Sequence, residues 1–175
     1  NRVRLRLPQR AQRVADTLRS ALAQILISRR GPALQPGTRS YARSWIRDGA
    51  MISEALLRMG HAETASAFVQ WYAPHQFANG KVPCCVDARG ADPVPENDSP
   101  GELIFAIAEV FRYTGDRAFL DALWPRVKSA PAYIETCRQS ARKPTFHEPA
   151  VHARYGVRPA PLSPHGHPAQ PTHSY

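Results

Sequence analysis

The sequence predicts an all-α fold, a toroid of helical hairpins in which inner helices are wrapped by outer ones. Apolar residues recur at helical spacing in five segments, and no period-two run of useful length predicts a strand. The segments alternate between amphipathic and almost wholly apolar. A helix that is apolar on all sides must be covered on all sides, whereas every helix of a plain four-helix bundle would be amphipathic. We therefore expect two concentric layers of helices.

The amphipathic helices are the first, third and fifth. The first runs from about Gln9 to Ile27 and the third from about Ala62 to Tyr72, where Glu63, Thr64 and Gln70 face away from the apolar stripe. Asp116 is the predicted cap of the fifth, and Pro131 is expected to kink or shorten it. The apolar stripes consist of Val14, Leu18, Leu22, Ile25 and Leu26, then Ala65, Phe68, Val69 and Tyr72, then Leu120, Leu123, Trp124, Val127 and Ile134. These three helices form the predicted outer layer.

The nearly apolar helices are the second and fourth. The second covers about Trp45 to Met59 and ends at Gly60, the residue expected in a left-handed C-terminal turn. The fourth follows a predicted capping box with Ser99 as N-cap, Pro100 at the first helical position and Glu102 three residues after the cap. These two helices form the predicted inner layer.

A loop of 26 residues, 73–98, separates the third and fourth helices. Loops of this length in a compact domain are usually functional or disordered. It contains Cys84 and Cys85, and with Cys137 they make an odd count without metal-binding spacing. We expect reduced structural thiols and a cytoplasmic location.

The chain changes character after the fifth helix. Residues 138–175 are rich in proline and histidine and lack a helical period, which is typical of a disordered tail. We therefore divide the chain into a helical domain, 1–137, and a tail, 138–175. His165 and His167 in the tail are scattered histidines rather than a metal site.

The charge distribution raises the possibility of an anionic partner. The net charge is +9, and residues 1–47 hold eleven arginines against one acid, Asp16. A non-enzymatic helical scaffold that binds an anion through its basic first helix is the alternative function. No nucleic-acid motif accompanies the arginines, so a solvated basic face is the simpler interpretation, with no nucleic acid and no membrane as partner. The sequence does not specify an oligomeric state.

Both inner helices begin beneath a polar cluster. Tyr41, Trp45, Arg47 and Asp48 precede or open the second helix, and Glu96, Asn97, Asp98 and Ser99 open the fourth. If the two helices are parallel neighbours, these clusters meet at one end and form the floor of a pocket. Aromatic rings stack on the C–H face of a sugar, and a paired carboxylate and guanidinium can bind adjacent hydroxyl groups.

Structural roles are the alternative for each of these residues. Asp48 could favour the dipole of the first helical turn, and Trp45 could belong to the core. Asp98 could be an ordinary residue before the cap, and Glu96 a carboxylate of the loop. Two clusters at corresponding helix starts favour a carbohydrate site over four separate structural roles.

Three stretches, 40–60, 79–116 and 123–135, carry a resemblance to a known family. They include the WxRD motif at 45–48, the segment "NGKVPCCVDARG" followed by "ENDSPGELIFAIAEVFRYTGD", and "LWPRVKSAPAYIE". Residues 10–137 resemble the six-hairpin glycosidases, the (α/α)6 toroids that include glucoamylases, trehalases and the glucosidase part of debranching enzymes, and in particular bacterial members. The resemblance implies a partial (α/α)6 toroid of about five helices with a disordered C-terminal tail.

The resemblance also implies an activity and roles for the site residues. The family hydrolyses glycosides with inversion, using one carboxylic acid and one carboxylate that activates water. The WxRD motif lines the sugar site, so Trp45, Arg47 and Asp48, with Tyr41 and Asn97, would bind an oligo- or polysaccharide. Asp98, or less favourably Glu96, would be the acid or a further sugar contact. We expect no cofactor and no metal.

The resemblance is incomplete, because a full toroid has about twelve helices. The later hairpins, which carry the second carboxylate in glucoamylase-like members, have no counterpart in these 175 residues. We therefore expect a fragment or an inactive relative rather than a complete glycosidase.

Overall fold

The computed structural model describes Val3 and residues 6–142, and within them the protein is all-α, as predicted. The five helices are α1 (Gln12–Ser28), α2 (Ile46–Arg58), α3 (Ala62–Tyr72), α4 (Ser99–Thr114) and α5 (Arg117–Ser140). Single 3-10 turns occupy Gln9–Ala11, Arg39–Tyr41 and Ala73–His75. The predicted bounds of α3 agree with the structure. The predicted bounds of α1 and α2 differ from the observed ones by a few residues.

The most extensive helix contact joins α2 and α4, while α3 packs on both and α5 packs on α4. The core between them is built from Ile46, Leu56, Phe68, Tyr72, Leu103, Ile107 and Val110, all almost fully buried. In α1, by contrast, Ala15 is buried and Leu22, Ile25 and Leu26 are partly buried against the core. The packing of α2 to α5 on one core agrees with the all-α class, while the division into inner and outer layers and the closure into a toroid remain predictions.

The coverage of α2 differs from the prediction that it is enclosed on every side. Its buried face includes Ala50, Leu56 and Leu57, but Met51 on another face is 66% exposed. The described helices thus cover α2 on one side and leave an apolar flank of it open.

The 26-residue segment predicted as a loop contains short strands. β1 (Ser44–Trp45), β2 (Cys85–Asp87) and β3 (Gly90–Ala91) form an antiparallel sheet in the order β1-β2-β3. Trp45 is paired with Cys85, and Val86 with Ala91. The sequence did not predict these strands, because runs of two or three residues are too short to show a period of two.

Three helix ends agree with the sequence and one does not. Gly60 and Gly115 have φ of 80° and 65°, and Asp116 caps α5 by accepting a hydrogen bond from the Phe119 N–H at 3.0 Å. Ser99, the predicted N-cap of α4, lies inside the helix, and its buried hydroxyl has no hydrogen-bond partner among the described residues. Asp98 already has helical φ and ψ, and its carbonyl accepts from the Glu102 N–H at 3.0 Å, so the helix begins one residue earlier than the capping box requires.

Pro131 does not shorten α5, which continues from Arg117 to Ser140 through Pro125 and Pro131. Both prolines are on the exposed side of the helix. The helix therefore extends past the boundary placed at residue 137. The remainder of the predicted tail, including His165 and His167, lies outside the described residues.

A buried side-chain amide joins the start of the 73–98 segment to α5. Gln76 Nε2 donates to the Gly80 carbonyl at 2.9 Å and to the Arg126 carbonyl at 3.3 Å, and its Oε1 accepts from the Ser129 hydroxyl at 3.0 Å. Gly80 has φ of +87°, and a Cβ at this position would collide with the backbone carbonyl of Ser129. The two segments therefore approach more closely than a side chain at position 80 would allow.

None of the described helices combines the length and the apolar composition that a membrane crossing would need.

Gly49 allows α2 to pack against α3, and we expect Gly49→Ala to destabilise the fold. A Cβ at Gly49 would lie 2.5 Å from Phe68 Cε1 and nearer still to Cζ, and this ring is fully buried. Overpacking of this kind costs about 1–3 kcal/mol. Urea unfolding followed by circular dichroism measures the change.

The matched control is Gly101→Ala, because Gly101 lies in the first turn of α4 and a Cβ there would meet no atom within 4 Å. This substitution should be neutral or stabilising by up to about 1 kcal/mol, since alanine has the higher helix propensity. Equal effects of the two substitutions would contradict the close packing of Gly49 on Phe68.

Candidate functional site

The candidate site lies where α2 and α4 begin, and the small sheet sets its position. Trp45 pairs with Cys85, and the Ile46 N–H, the first of α2, donates to the Cys84 carbonyl at 3.0 Å. The Ser44 hydroxyl donates to the Leu34 carbonyl, which fixes the chain just before α2. These bonds determine the direction in which the first turn of α2 presents Arg47.

Arg47 joins the two polar clusters. Its Nε donates to Asp98 Oδ2 at 2.5 Å, and its Nη2 donates to Glu96 Oε2 at 3.0 Å. The clusters at the two helix starts therefore meet, as the sequence predicted for parallel neighbours.

The aromatic residues lie on the strand side of the site. The ring centroids of Tyr41 and Trp45 are 6.2 Å apart with planes tilted by 51°, and Tyr41 is 63% exposed. The guanidinium carbon of Arg43 lies 5.6 Å from the centroid of the Trp45 ring, within cation–π range. Trp45 is therefore a partly exposed member of a surface group rather than a core residue.

Asp48 and Asn97 complete the predicted set. Asp48 is half-buried in the first turn of α2, and its charge contributes to raising the pKa values of both Arg47 and Glu96. Asn97 is exposed between Glu96 and Asp98. The structure thus brings Arg47, Asp48, Glu96 and Asp98 together, with Tyr41 and Trp45 joined to them through β1.

Glu96 and Asp98 have opposite pKa shifts although they share one arginine. Burial raises the pKa of Glu96 above its usual value, and the charges of Asp98 and Asp48 add to this effect while Arg47 opposes it. Burial alone would also raise the pKa of Asp98, but the hydrogen bond from Arg47 and its charge outweigh it and lower that pKa. Neighbouring carboxyl groups with diverging pKa values are typical of acid–base sites.

A second arginine binds two carboxylates that the sequence analysis did not identify. Arg43 lies 2.9 Å from Asp87 and 2.7 Å from Asp92, and Arg89 also binds Asp87. Hydrogen bonds from Arg89 lower the pKa of Asp87 to about 2. The "VDARGAD" hairpin was the available signal, because its turn at Ala88-Arg89 pairs β2 with β3 and places Asp92 opposite Cys85, two residues before Asp87 in β2 and so on the same face.

The cysteines are free thiols, and two of them belong to this region. Cys84 and Cys85 are buried, with their sulfur atoms 3.4 Å apart. The hydrogen bond between these thiols raises the pKa of Cys85 and lowers that of Cys84.

A groove of about 580 Å³ lies elsewhere, beside α1. It is lined mainly by apolar side chains of α1, with Met59 and His61 on the opposite side, and by none of the candidate site residues. The candidate site is instead a polar surface on which Tyr41 and Arg47 are exposed.

We expect Glu96→Gln and Asp98→Asn to alter the pH dependence of stability in opposite senses. Since the pKa of Glu96 in the folded protein lies above its usual 4.5, its contribution to stability is present below pH 4.5 and is lost as pH rises through the folded pKa. Relative to the unmodified protein, Glu96→Gln should therefore gain stability as pH increases through this window.

For Asp98 the direction is reversed. Its folded pKa lies below the usual 3.8, so its contribution is present above pH 3.8 and is lost as pH falls through the folded pKa. Near neutral pH, the free energy of unfolding of Asp98→Asn should be lower than that of the unmodified protein. This difference should disappear in acid. Urea unfolding at a series of pH values measures the free energy of unfolding of both variants. Parallel pH profiles would contradict the opposite pKa shifts of Glu96 and Asp98.

Comparison with known proteins gives one relative. The chain is 29% identical over 105 residues to a protein described as an uncharacterized glycosyl hydrolase from Methanocaldococcus jannaschii, an alignment that covers 59% of this chain and 17% of the relative. No family model matches the chain. No solved structure matches it either. The chain therefore spans about a sixth of the length of a protein described as a glycosyl hydrolase, and is similar to it over more than half of its own length.

Proposed function

We propose that the residues at the starts of α2 and α4 bind a carbohydrate in a domain related to the glycoside hydrolases of the six-hairpin type. The observation that carries this proposal is Arg47 held between Asp98 and Glu96, next to the Tyr41–Trp45 aromatic pair. The similarity to a glycosyl hydrolase supports the same class of ligand.

The chemistry of the surface favours a neutral sugar. A guanidinium beside carboxylates offers donors and acceptors at adjacent positions, which matches neighbouring hydroxyl groups. Asp48, Glu96 and Asp98 surround one arginine, so the local charge is negative when all three are ionised. This charge would repel a phosphate or a uronate and leaves a neutral oligosaccharide as the preferred ligand.

The electrostatics favour Glu96 over Asp98 as proton donor. A general acid of an inverting glycosidase must hold a proton until it protonates the leaving oxygen, and the pKa of Glu96, which burial raises, is shifted in the direction that this role needs, unlike that of Asp98. Asp98 is hydrogen-bonded to Arg47 and remains ionised, so we assign it to positioning that arginine. Glu96 and Asp98 both bind the guanidinium of Arg47, so they flank an arginine rather than a sugar ring. The carboxylate that activates water would therefore come from another segment.

The contacts of the arginines give less support to an anion-binding scaffold. Arg19 binds Asp16, Arg43 binds Asp87 and Asp92, and Arg47 binds Glu96 and Asp98. Three of the eleven arginines of residues 1–47 are therefore paired with acids, and Arg19 is the one of these three that lies in α1. Steeply salt-dependent nucleic-acid binding, lost when the arginines at 10, 13 and 19 are replaced, would favour this alternative instead.

Protection of Trp45 from a quencher tests the sugar site. In a Trp124→Phe background, which removes a tryptophan that is 49% exposed, maltotriose should reduce the quenching of tryptophan fluorescence by acrylamide. Asp48→Asn in the same background should abolish this protection, because it removes an acceptor next to Arg47 and Trp45.

The charge control is Glu63→Gln, which replaces an exposed carboxylate in the first turn of α3 and should leave the protection unchanged. Circular dichroism verifies that each variant is folded. Protection that persists in Asp48→Asn, or that is lost equally in Glu63→Gln, would contradict the proposed site.

A further inference from the structure

Two buried thiols and a partly buried carboxylate lie close together at the small sheet. The sulfur atoms of Cys84 and Cys85 are 3.4 Å apart, and Cys85 Sγ lies 3.8 Å from Asp92 Oδ2. All three donor atoms lie within 4.8 Å of one another. Within the described part of the chain, this is the one such group of three.

The separations of Cys85 Sγ from Cys84 Sγ, 3.4 Å, and from Asp92 Oδ2, 3.8 Å, are close to those in a tetrahedral metal site. Zinc binds thiolate sulfur at about 2.3 Å and carboxylate oxygen at about 2.0–2.2 Å, which places neighbouring ligand atoms about 3.3–3.8 Å apart. We propose that Cys84, Cys85 and Asp92 bind a thiophilic divalent cation, Zn²⁺ in particular, with a water molecule as fourth ligand. Binding displaces two protons, one from each thiol, as two zinc–sulfur bonds form.

The backbone holds the three residues in place before any metal arrives. The Cys85 carbonyl accepts from the Asp92 N–H at 2.9 Å, and the Cys84 carbonyl accepts from the Ile46 N–H at 3.0 Å. The Asp92 carboxylate is oriented by the Val94 N–H, which donates to its Oδ1 at 2.9 Å. Such preorganisation lowers the entropic cost of assembling the ligands.

The charges of the surroundings are compatible with the same ion. Two thiolates, one carboxylate and Zn²⁺ sum to one negative charge, and Arg43, which binds Asp92 at 2.7 Å, supplies one positive charge. Arg43 would then act as an outer partner that orients the metal-binding carboxylate, the role that hydrogen-bond donors commonly have around zinc. Because both thiols are almost fully buried, the ion would be shielded from solvent on the sulfur side.

The consequence of binding is structural. A metal at these residues would join β2 to residue 92, at the head of the segment that leads to Glu96 and Asp98. It would also fix the Cys84 carbonyl that receives the first N–H of α2. The ion would therefore stabilise the fold around the candidate site, independently of whether that site binds a sugar.

Anaerobic titration of the reduced full chain with Co²⁺ tests the proposal. Thiolate-to-cobalt charge-transfer absorption should appear and saturate at one equivalent, and Zn²⁺ should displace it. Cys84→Ser and Cys85→Ser should each remove the band, and Asp92→Asn should weaken binding about 10- to 100-fold. Zn²⁺ should raise the Tm of the unmodified protein and leave that of Cys84→Ser unchanged.

The matched control is Cys137→Ser, which removes the thiol of α5 and should preserve the band and its stoichiometry. Circular dichroism shows whether each variant is folded. If a cysteine variant does not fold, the weaker Co²⁺ binding expected of Asp92→Asn tests the proposal instead. Absence of charge-transfer absorption in the folded, reduced protein would overturn the proposal. A band that survives Cys84→Ser and Cys85→Ser but is lost in Cys137→Ser would overturn it as well.

Discussion

The side-by-side packing of α2 on α4 brings together the two polar clusters of the candidate site. These two helices share the largest contact of the fold, and their starting residues are joined by Arg47. An arginine–carboxylate contact at the surface contributes little to stability on its own, so apolar burial along the helices must hold the pair together. Apolar packing places the starts of the two helices side by side. Arg47 can therefore bind Glu96 and Asp98, which lie 49 and 51 positions later in the sequence.

Local signals in the sequence predicted what depends on local structure. Gly60 and Asp116 end and begin helices through contacts a few residues away, and both are as expected. Ser99 has an equally strong local signal, yet the helix begins one residue before the position that would make it a cap. The side chain of Asp98 is bound by Arg47, a partner distant in sequence, and local patterns do not contain that information.

The same distinction between local and long-range contacts explains which parts of the candidate site could be predicted. The WxRD motif and the acidic residues before α4 could be identified as two groups, and the alternation of helix types was enough to predict that they meet. The partners of Arg43 could not be predicted, because Asp87 and Asp92 reach it only through the pairing of β1 with β2. Strands this short are defined by their neighbours rather than by their own residues.

The amide of Gln76 and the bare backbone of Gly80 limit how this region can change during evolution. Gln76 satisfies polar groups of its own turn and of α5, and a side chain at Gly80 would strike the carbonyl of Ser129. A substitution at one of these positions would leave a buried polar group without a partner or force the helix outward. Changes at 76 and 129 would therefore have to arise together, and no residue at 129 makes room for a side chain at 80, so this corner of the fold should change more slowly than its distance from the candidate site would suggest.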